Sequence, residues 1–238
     1  MCFLIRIIFL LASFSLFSTA SFASGEKVYR ATLDTPESVK NANGFWSNGM
    51  ANINDRPVNI SLFNHAGGQS TGHANVDSGY VATTSDLVMA QQWAHENYGG
   101  NGYIYHIRPT SNFIDVNAVL GVYSPHPREN EFAAMGRIYW GQIIGWQRVT
   151  SNIQGEYEAN PDYNPTLTSW LPPARDTWQL AGFPDHHPAW ARAPWNAFSE
   201  CELRSSCLPK KSAQRYGEEF YEENVVCKDA FMLSLINY

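Results

Sequence analysis

Apolar and polar residues alternate over several short stretches of the chain, and this pattern predicts an α+β fold. The alternation predicts strands at "EKVYRATL", "GYVATT", "GYIYHIRP" and "FIDV". Residues Asp34-Thr35-Pro36-Glu37 carry the signals of a helix start, a capping carboxylate and a proline in the first turn. Residues 137–149 fit either one long strand or two consecutive strands. Short strands with few helices are typical of an α+β core.

The clearest helical pattern is "SDLVMAQQWAHENYGG". We expect Ser85 to cap this helix at its start, and the pair Gly99-Gly100 to stop it. Its apolar stripe consists of Leu87, Val88, Ala90, Trp93 and Ala94.

The C-terminal third of the chain has a different texture. Residues 151–200 are dense in proline, asparagine, tyrosine and tryptophan and show little periodicity. Because disordered chains are poor in aromatic residues, we interpret this segment as an irregular wrap anchored by aromatic side chains. Helical spacing then returns through Tyr216 and Phe220, although Gly217 weakens the pattern. We expect a tail helix separate from the core, which over residues 212–237 would measure about 39 Å.

The N-terminus has the pattern of a secretory signal peptide. A single basic residue, Arg6, precedes an apolar run from Ile7 to Phe17, and small residues follow up to Ala23. The run is shorter than the roughly 20 apolar residues that span a bilayer. We therefore expect a secreted chain that passes through the periplasm, with residues 1–23 removed and one main domain after them.

Charge and cysteine content restrict the function classes. The formal net charge is −6, which argues against nucleic acid as a partner. Cys2 lies within the signal peptide, so Cys201, Cys207 and Cys227 remain, and we expect one disulfide and one odd thiol in an oxidising compartment. No CxxC or HxxxH spacing accompanies these cysteines, and we expect no metal.

Two carboxylates flank a single residue in "SPHPRENEFAAMG". In an extended segment Glu129 and Glu131 would project to the same face, and His126-Pro127 before them favours an extended approach. Two adjacent carboxylates repel each other unless they face a cation or share a proton. The pair is therefore either a solvated accident or a site, and the triplet alone favours the accident, because such triplets are common and charged residues are mostly exposed.

The surrounding motifs carry a family resemblance. In chain order they are "VYRA", "LFNHAGG", "DSGYVATTS", "VYSPHPRENEFAAMGRI", "GQIIGWQRV" and "LAGFPDHHPAWARAPW". This order resembles the A subunits of the cholera toxin and heat-labile enterotoxin family, ADP-ribosyltransferases of the arginine–serine–glutamate class, over nearly all of residues 26–207. The resemblance implies an ADP-ribosyltransferase fold: a short-stranded β core that forms an NAD cleft, an irregular aromatic-rich wrap and a C-terminal helical tail.

The resemblance also implies which residues bind NAD, the only cofactor expected, as a substrate. Arg30 of "VYRA", with Ala31 beside it, corresponds to the arginine that braces the dinucleotide, and a guanidinium fork suits that task. His65 corresponds to a histidine that lines the cleft, although a buried structural histidine is an equal alternative.

One family motif, Ser-Thr-Ser, is altered in this chain. Ala82, Thr83 and Thr84 occupy its positions, so the first serine is missing. In the family that hydroxyl helps to position the catalytic glutamate, and we expect its role to pass to Thr83, Thr84 or Ser85. Strand preference alone also accounts for the two threonines.

The two glutamates correspond to the catalytic pair of the family. Glu131 would stabilise the oxocarbenium-like transition state as the nicotinamide–ribose bond breaks. Glu129 would orient an arginine acceptor and take its proton. The resemblance thus implies a toxin A subunit that modifies an arginine of a host protein, most naturally a heterotrimeric G-protein α subunit.

The C-terminal part would serve activation and assembly. The resemblance implies a disulfide between Cys201 and Cys207 that encloses a proteolytic nick between Arg204 and Ser205. Residues 24–204 would then be the catalytic domain, and residues 205–238 a disulfide-linked tail that docks a homopentameric ring of B subunits. Cys227 would pair with one of these cysteines or stay free.

Two other functions fit the same residues. One is an NAD glycohydrolase of the same fold, with water as the acceptor in place of arginine. The other is a non-catalytic secreted binding module, which the departure at Ala82 supports.

Overall fold

The alternating segments form a single antiparallel sheet in the computed structural model, which describes residues 27–51, 57–68, 76–167, 176–203 and 206–223. The predicted signal peptide, the nick at Arg204 and Ser205, and Cys227 lie outside these residues. The strands are β1 (Val28–Thr32), β2 (Gly44–Trp46), β3 (Tyr80–Thr84), β4 (Gly102–Ile107), β5 (Phe113–Asp115), β6 (Glu131–Met135), β7 (Arg137–Tyr139), β8 (Ile143–Thr150), β9 (Ile153–Ala159), β10 (Ser199–Leu203) and β11 (Ser206–Pro209). The helices are α1 (Pro36–Asn41), α2 (Asn48–Ala51), α3 (Leu62–Ala66), α4 (Leu87–Tyr98), α5 (Val116–Leu120) and α6 (Ala213–Tyr221).

Seven strands form the main sheet in the order β5-β6-β3-β1-β4-β8-β9. The pairs β2-β7 and β10-β11 form two small separate sheets. In the main sheet β3 lies between β1 and β6, with Tyr29 opposite Thr84 and Thr84 opposite Glu131. This order brings three distant stretches of sequence, "VYRA", "VATT" and "ENEF", side by side.

The helix starts follow local capping rules, with two corrections. α1 begins at Pro36 as predicted, but Thr35, and not a carboxylate, caps it: the Thr35 side chain accepts a hydrogen bond from the Ser38 N–H. Asp86, and not Ser85, caps α4: its carboxylate accepts from the Val88 N–H at 2.8 Å. Val88 was also wrongly placed in the apolar stripe, since it is 67% exposed.

The segment from residue 137 onward contains more strand than its sequence suggests. Residues 137–149 form two strands, β7 and β8, separated by a 3-10 turn, and the two strands belong to different sheets. The strand β9 was missed because it is an exposed edge strand: Ile153 and Tyr157 are exposed, and Glu156 and Glu158 carry charges. An edge strand with both faces in water shows no apolar alternation.

The aromatic wrap is anchored as predicted. Trp190 and Trp195 are both buried in the largest apolar cluster, together with residues of α5 and β6. The Trp195 indole N–H also donates to the Val119 carbonyl at 2.8 Å. Since a buried indole needs a hydrogen-bond acceptor, this contact fixes the wrap onto α5.

The start of the tail helix is part of the core, which corrects the expectation of a separate helix. Tyr216 and Phe220 of α6 are buried in the same cluster as the tryptophans. Gly217 allows this close packing, because a Cβ atom there would lie 2.0 Å from Ile60 Cγ2. Within the described part of the chain, every helix is too short or too polar to cross a membrane.

Candidate active site

Glu131 lies at the first position of β6, where it is buried opposite Thr84, the last residue of β3. It is 7% exposed, and its Oε1 lies 2.9 Å from Nε2 of His65. A buried carboxylate is costly unless it has a hydrogen-bonding partner, and His65 provides one. This side-chain contact joins two residues that are 66 positions apart in the sequence.

His65 is fixed from several sides. It lies in the short helix α3, which Ser61 caps by accepting a hydrogen bond from the Asn64 N–H. Its Nδ1 lies 2.7 Å from Ser78 Oγ, and its ring packs on Tyr80 with 5.2 Å between ring centres. Both ring nitrogens are therefore engaged, and the orientation of the imidazole is determined by the fold.

The altered motif holds the backbone around Glu131 and leaves its carboxylate to His65. The Thr83 hydroxyl donates to the Phe132 carbonyl at 2.5 Å, and the Thr84 hydroxyl donates to the Glu129 carbonyl at 2.6 Å. The Ser85 hydroxyl reaches the Asn130 carbonyl at 3.3 Å. These hydroxyls thus contact the main chain on either side of Glu131, and their role in positioning this glutamate in place of the missing serine stays a prediction.

Glu129 is close to Glu131, but not through the extended geometry expected from sequence. Residues Pro127–Glu129 form a 3-10 turn, and Asn130 has a positive φ of 45° before β6 begins. Asparagine tolerates this left-handed conformation better than most residues. The two glutamates therefore do not follow the same-face rule of a strand, and the turn at Asn130 sets their relative positions.

The electrostatic environment of Glu129 differs from that of a solvated carboxylate. Burial raises the pKa of Glu129, and repulsion from Glu131 raises it further. His126 and a hydrogen bond from Trp93 of α4 act in the opposite direction and lower this pKa. Glu129 is thus a half-buried base next to a second carboxylate.

Arg30 lies on β1, next to β3, and is close enough to Glu131 for the two charges to interact. Its Nη1 donates to the Ala82 carbonyl at 2.8 Å, and its guanidinium lies 5.2 Å from the centre of the Phe45 ring. Its Nε is buried without a hydrogen-bond partner among the described residues. Burial lowers the pKa of Arg30, whereas the negative charge of Glu131 raises it. A buried donor without a partner is costly and is suited to a ligand that supplies an acceptor.

The other predicted site residues lie deeper. Ala31 is 5% exposed, and its side chain packs in a cluster with Ala90 and Ala94 of α4, so it presents no side chain to the cleft. Thr83 and Thr84 are fully buried. Among the described residues, no three histidine, cysteine, aspartate or glutamate side chains come together as a metal site.

Two residues near the glutamates were missed as site residues. Ser78 precedes "GYVATT" and contacts His65. Trp93 was counted in the apolar stripe of α4, but it contacts Glu129. The sequence carries no local signal that Ser78 belongs to the site, since its partner is 13 residues away. For Trp93 the signal is an indole N–H, a hydrogen-bond donor, within an apolar stripe.

The disulfide implied by the resemblance is present. Cys201 and Cys207 are bonded, and they face each other across the β10-β11 hairpin. Leu203 pairs with Ser206, and these are the described residues on either side of the expected nick.

Comparison with known proteins gives consistent matches. The sequence model of the heat-labile enterotoxin alpha chain family matches residues 7–227. The A chain of heat-labile enterotoxin IIA from Escherichia coli is 39% identical over 212 residues, which are 86% of this chain and 80% of that protein. An NAD(+)–arginine ADP-ribosyltransferase from Vibrio cholerae is 38% identical over 193 residues, 78% of this chain but 32% of that protein.

The fold matches in the same way. A solved structure of heat-labile enterotoxin superimposes with a TM-score of 0.73 at 31% identity, covering 88% of this chain and 94% of that chain. The match thus extends over most of both chains.

Proposed function

The chain belongs to the heat-labile enterotoxin alpha chain family, and we propose that it transfers ADP-ribose from NAD to an arginine of a host protein. The observation that supports this most directly is the buried Glu131 carboxylate, which His65 orients and with which the charge of Arg30 interacts. A relative of 38% identity is named for this reaction.

The first step would be the loss of nicotinamide. As the bond between the nicotinamide nitrogen and ribose C1′ breaks, its electron pair leaves with nicotinamide, and positive charge develops on the ribose ring. Glu131 would stabilise this charge and accept a hydrogen bond from a ribose hydroxyl. Because His65 orients the carboxylate before the substrate arrives, little reorganisation is needed in the transition state.

The second step would be attack by the acceptor. A guanidinium nitrogen of the target arginine bonds to C1′ and releases a proton, which Glu129 takes up. The raised pKa of Glu129 suits this role, because it makes the carboxylate a stronger base. The negative charge of Glu129 would also orient the incoming guanidinium.

Arg30 would hold the dinucleotide. Its guanidinium is anchored through Nη1 on the Ala82 carbonyl, while Nε has no protein acceptor in the described part of the chain. A phosphate oxygen of NAD is the type of acceptor that a guanidinium binds best.

The test is the reaction itself. Purified protein is incubated with labelled NAD and agmatine, a free arginine mimic, and both labelled agmatine and free ADP-ribose are measured. Glu131→Gln retains an oxygen for His65 but removes the charge, so transfer and hydrolysis should both fall roughly 100-fold or more. Transfer within a few-fold of wild type would contradict the assignment of Glu131.

A second variant separates arginine transfer from the hydrolase alternative. Glu129→Gln should depress transfer to agmatine much more than hydrolysis, because water needs no guanidinium-orienting carboxylate. Equal losses of both reactions would argue against a role on the acceptor side. Wild-type protein that releases ADP-ribose but never labels agmatine would be a glycohydrolase, and protein that does neither would be a binding module.

The proposed host target is a heterotrimeric G-protein α subunit, and the proposed partner is a homopentameric ring of B subunits. Both proposals rest on family membership. Labelling of purified α subunit, compared with the same subunit after substitution of its surface arginines, tests the first. Since Tyr216 and Phe220 are buried in the core, we assign the ring contact to residues 222–238, and co-purification with and without these residues tests the second.

We propose that the secreted chain is activated by cleavage after Arg204, with residues 24–204 as the catalytic fragment and 205–238 as the tail. The disulfide between Cys201 and Cys207 would hold the two together until reduction in the cytosol. Limited trypsin treatment should give two pieces that separate on denaturing gels only after thiol is added. A chain that stays intact would leave the disulfide as a structural link alone.

A further inference from the structure

The imidazole of His65 has a different partner on each ring nitrogen. Nε2 lies 2.9 Å from Glu131 Oε1, and Nδ1 lies 2.7 Å from Ser78 Oγ. All three side chains are buried, and Ser78 is only 2% exposed. Which nitrogen carries the proton determines whether His65 attracts the Glu131 carboxylate or repels it.

The hydrogen bonds of Ser78 decide between the two forms. Its Oγ already accepts a hydrogen bond from the Tyr80 N–H at 3.2 Å. A serine hydroxyl has one proton to donate, and for Ser78 the acceptor in contact is Nδ1 of His65. An Nδ1 that accepts a hydrogen bond carries no proton, so the ring proton lies on Nε2 and is donated to Glu131.

We propose that Ser78 is a positioning residue, which holds His65 as the Nε2–H tautomer and so keeps the Glu131 carboxylate oriented. The inference rests on the proposed function above. The opposite tautomer would turn a lone pair towards Glu131. A doubly protonated imidazole would neutralise the negative charge that the oxocarbenium-like transition state requires.

The main chain fixes Ser78 in this position. Its carbonyl accepts from the Gly49 N–H at 2.7 Å, and Ser78 forms a bridge with Asn59. The charged groups that act on Glu131 in the described part of the chain are Arg30, which attracts it, and Glu129, which repels it. Among the described residues, neither of these groups forms a hydrogen bond with Nδ1, and Ser78 is the partner on that side of the ring.

The order serine, histidine, carboxylate is also that of hydrolases with a nucleophilic serine, but this geometry differs. In those enzymes Nε2 faces the serine and Nδ1 faces the carboxylate, whereas His65 has the reverse arrangement. Ser78 is also shielded from solvent, and its oxygen is occupied by the Tyr80 N–H. Ser78 therefore acts through His65 and not on a substrate.

The tautomer is measured directly in the full-length secreted chain with isotope-labelled histidine, from the chemical shifts of the ring nitrogens. The chain has seven histidines, and the signals of His65 are identified by their loss in His65→Ala. We expect an unprotonated Nδ1 and a protonated Nε2 in wild type, and a mixture of forms in Ser78→Ala. A protonated Nδ1 in wild type, or an unchanged spectrum in Ser78→Ala, would overturn the proposal.

Kinetics provide the second measurement. Ser78→Ala should lower kcat for NAD cleavage roughly 10-fold, the scale of one buried hydrogen bond, with KM nearly unchanged. Ser78→Thr, which retains the hydroxyl, should restore activity. In a His65→Ala background the Ser78→Ala change should cost nothing further, because its effect passes through the imidazole.

The matched control is Ser199→Ala. Its hydroxyl is also buried and donates to the Trp190 carbonyl at 2.6 Å, but it lies in β10. We expect a similar loss of stability with unchanged kcat. An equal loss of kcat in Ser199→Ala, or the same loss for Ser78→Ala with and without His65, would make Ser78 a structural residue only. Absence of NAD cleavage in wild type would refute the proposed function, whereas the ring-nitrogen shifts still test the contact between Ser78 and His65.

Discussion

Two segments of the molecule are held in place by different forces. The first, residues 129–132, is fixed by directed hydrogen bonds: three hydroxyls from residues 83–85 bind its carbonyls, and His65 binds its carboxylate. The second, residues 206–223, is fixed by the burial of Tyr216 and Phe220, and its ion pairs are exposed. Directed contacts thus fix the geometry of the first segment, whereas the second segment is held by the apolar area that it buries.

Because of this difference, we expect substitutions in the first segment to affect mainly activity, and substitutions in the second to affect mainly stability. A directed contact places an atom within a narrow range of positions, so its loss should be felt mainly in the rate of reaction. Buried apolar area is non-directional and roughly proportional to the surface removed from water, so its loss should be felt mainly in unfolding. The second segment contacts Ile60 through Gly217, and Ile60 lies just ahead of α3, the helix that carries His65.

The largest effect on stability should come from the tail. Phe220→Ala removes a ring that is 5% exposed and leaves a cavity, so the free energy of unfolding should fall by about 3–5 kcal/mol. Chemical denaturation measures this loss, and Val88→Ala, at an exposed position of α4, is the control with little change. We expect kcat of the folded protein to stay the same. A loss of kcat would show that the contact through Ile60 couples the tail to the cleft.

The converse experiment uses Arg30. Arg30→Lys keeps the charge but loses the planar fork that reaches the Ala82 carbonyl and lies over Phe45, so turnover of NAD should fall roughly 100-fold. The unfolding midpoint should change much less than in Phe220→Ala. A variant that folds and keeps most of its turnover would reduce Arg30 to a structural arginine.

The sequence was most informative where an element is buried. The strand containing Arg30 and the strand containing Thr84 were predicted, because both contribute buried residues to the core. The strand β9 was not, because its residues face water on both sides. At Ser85 and Asp86 two capping side chains are adjacent, and a local rule cannot choose between them. The bond from Ser85 to the Asn130 carbonyl, a tertiary contact, decides the choice.

The sequence named the residues of the candidate site but not the contacts between them. Family resemblance pointed to Arg30, His65, Glu129 and Glu131, yet the pairing of His65 with Glu131 depends on how α3 packs against β6. The sequence does carry a signal for the turn at Glu129, but it predicts an extended segment only if Pro127 is read without its preference for helical turns. Pro127 was taken to favour an extended approach, but proline equally suits the first position of a helical turn, which is where it lies.

A moderate effect is expected from pH at Glu129. Because burial and Glu131 raise its pKa, the folded protein holds this proton more tightly than the unfolded chain does. Ionisation of Glu129 therefore costs stability, a cost that is absent below the ordinary glutamate pKa and complete above the raised one. Transfer to agmatine should increase with pH over this range, while NAD hydrolysis should not follow the same group.

Substitution of Glu131 tests whether this residue contributes to the raised pKa of Glu129. In Glu131→Gln the repulsion is gone while the burial remains, so the pKa of Glu129 should fall part of the way towards its ordinary value. A carboxyl-carbon titration by NMR, with Glu129→Gln to identify the signal, measures the change. An unchanged pKa would mean that the two carboxylates do not interact, and the site would then lack the paired charges on which the acceptor step depends.

The smallest effect should come from the surface of the tail. Lys211 contacts both carboxylate oxygens of Glu219, at 2.9 and 2.8 Å, and its hydrogen bond is the main cause that lowers the pKa of Glu219. Both side chains are nevertheless open to water, where attraction is screened by salt and offset by the entropy of holding two long side chains in place. Lys211→Ala should therefore shift the unfolding midpoint by less than about a quarter of the Phe220→Ala shift, and added salt should remove even that difference. Because a carboxylate with a lowered pKa contributes stability only above that pKa, any remaining difference should also vanish as the pH falls through it. A loss as large as that of Phe220→Ala would mean that charge, and not buried apolar area, holds α6 on the core.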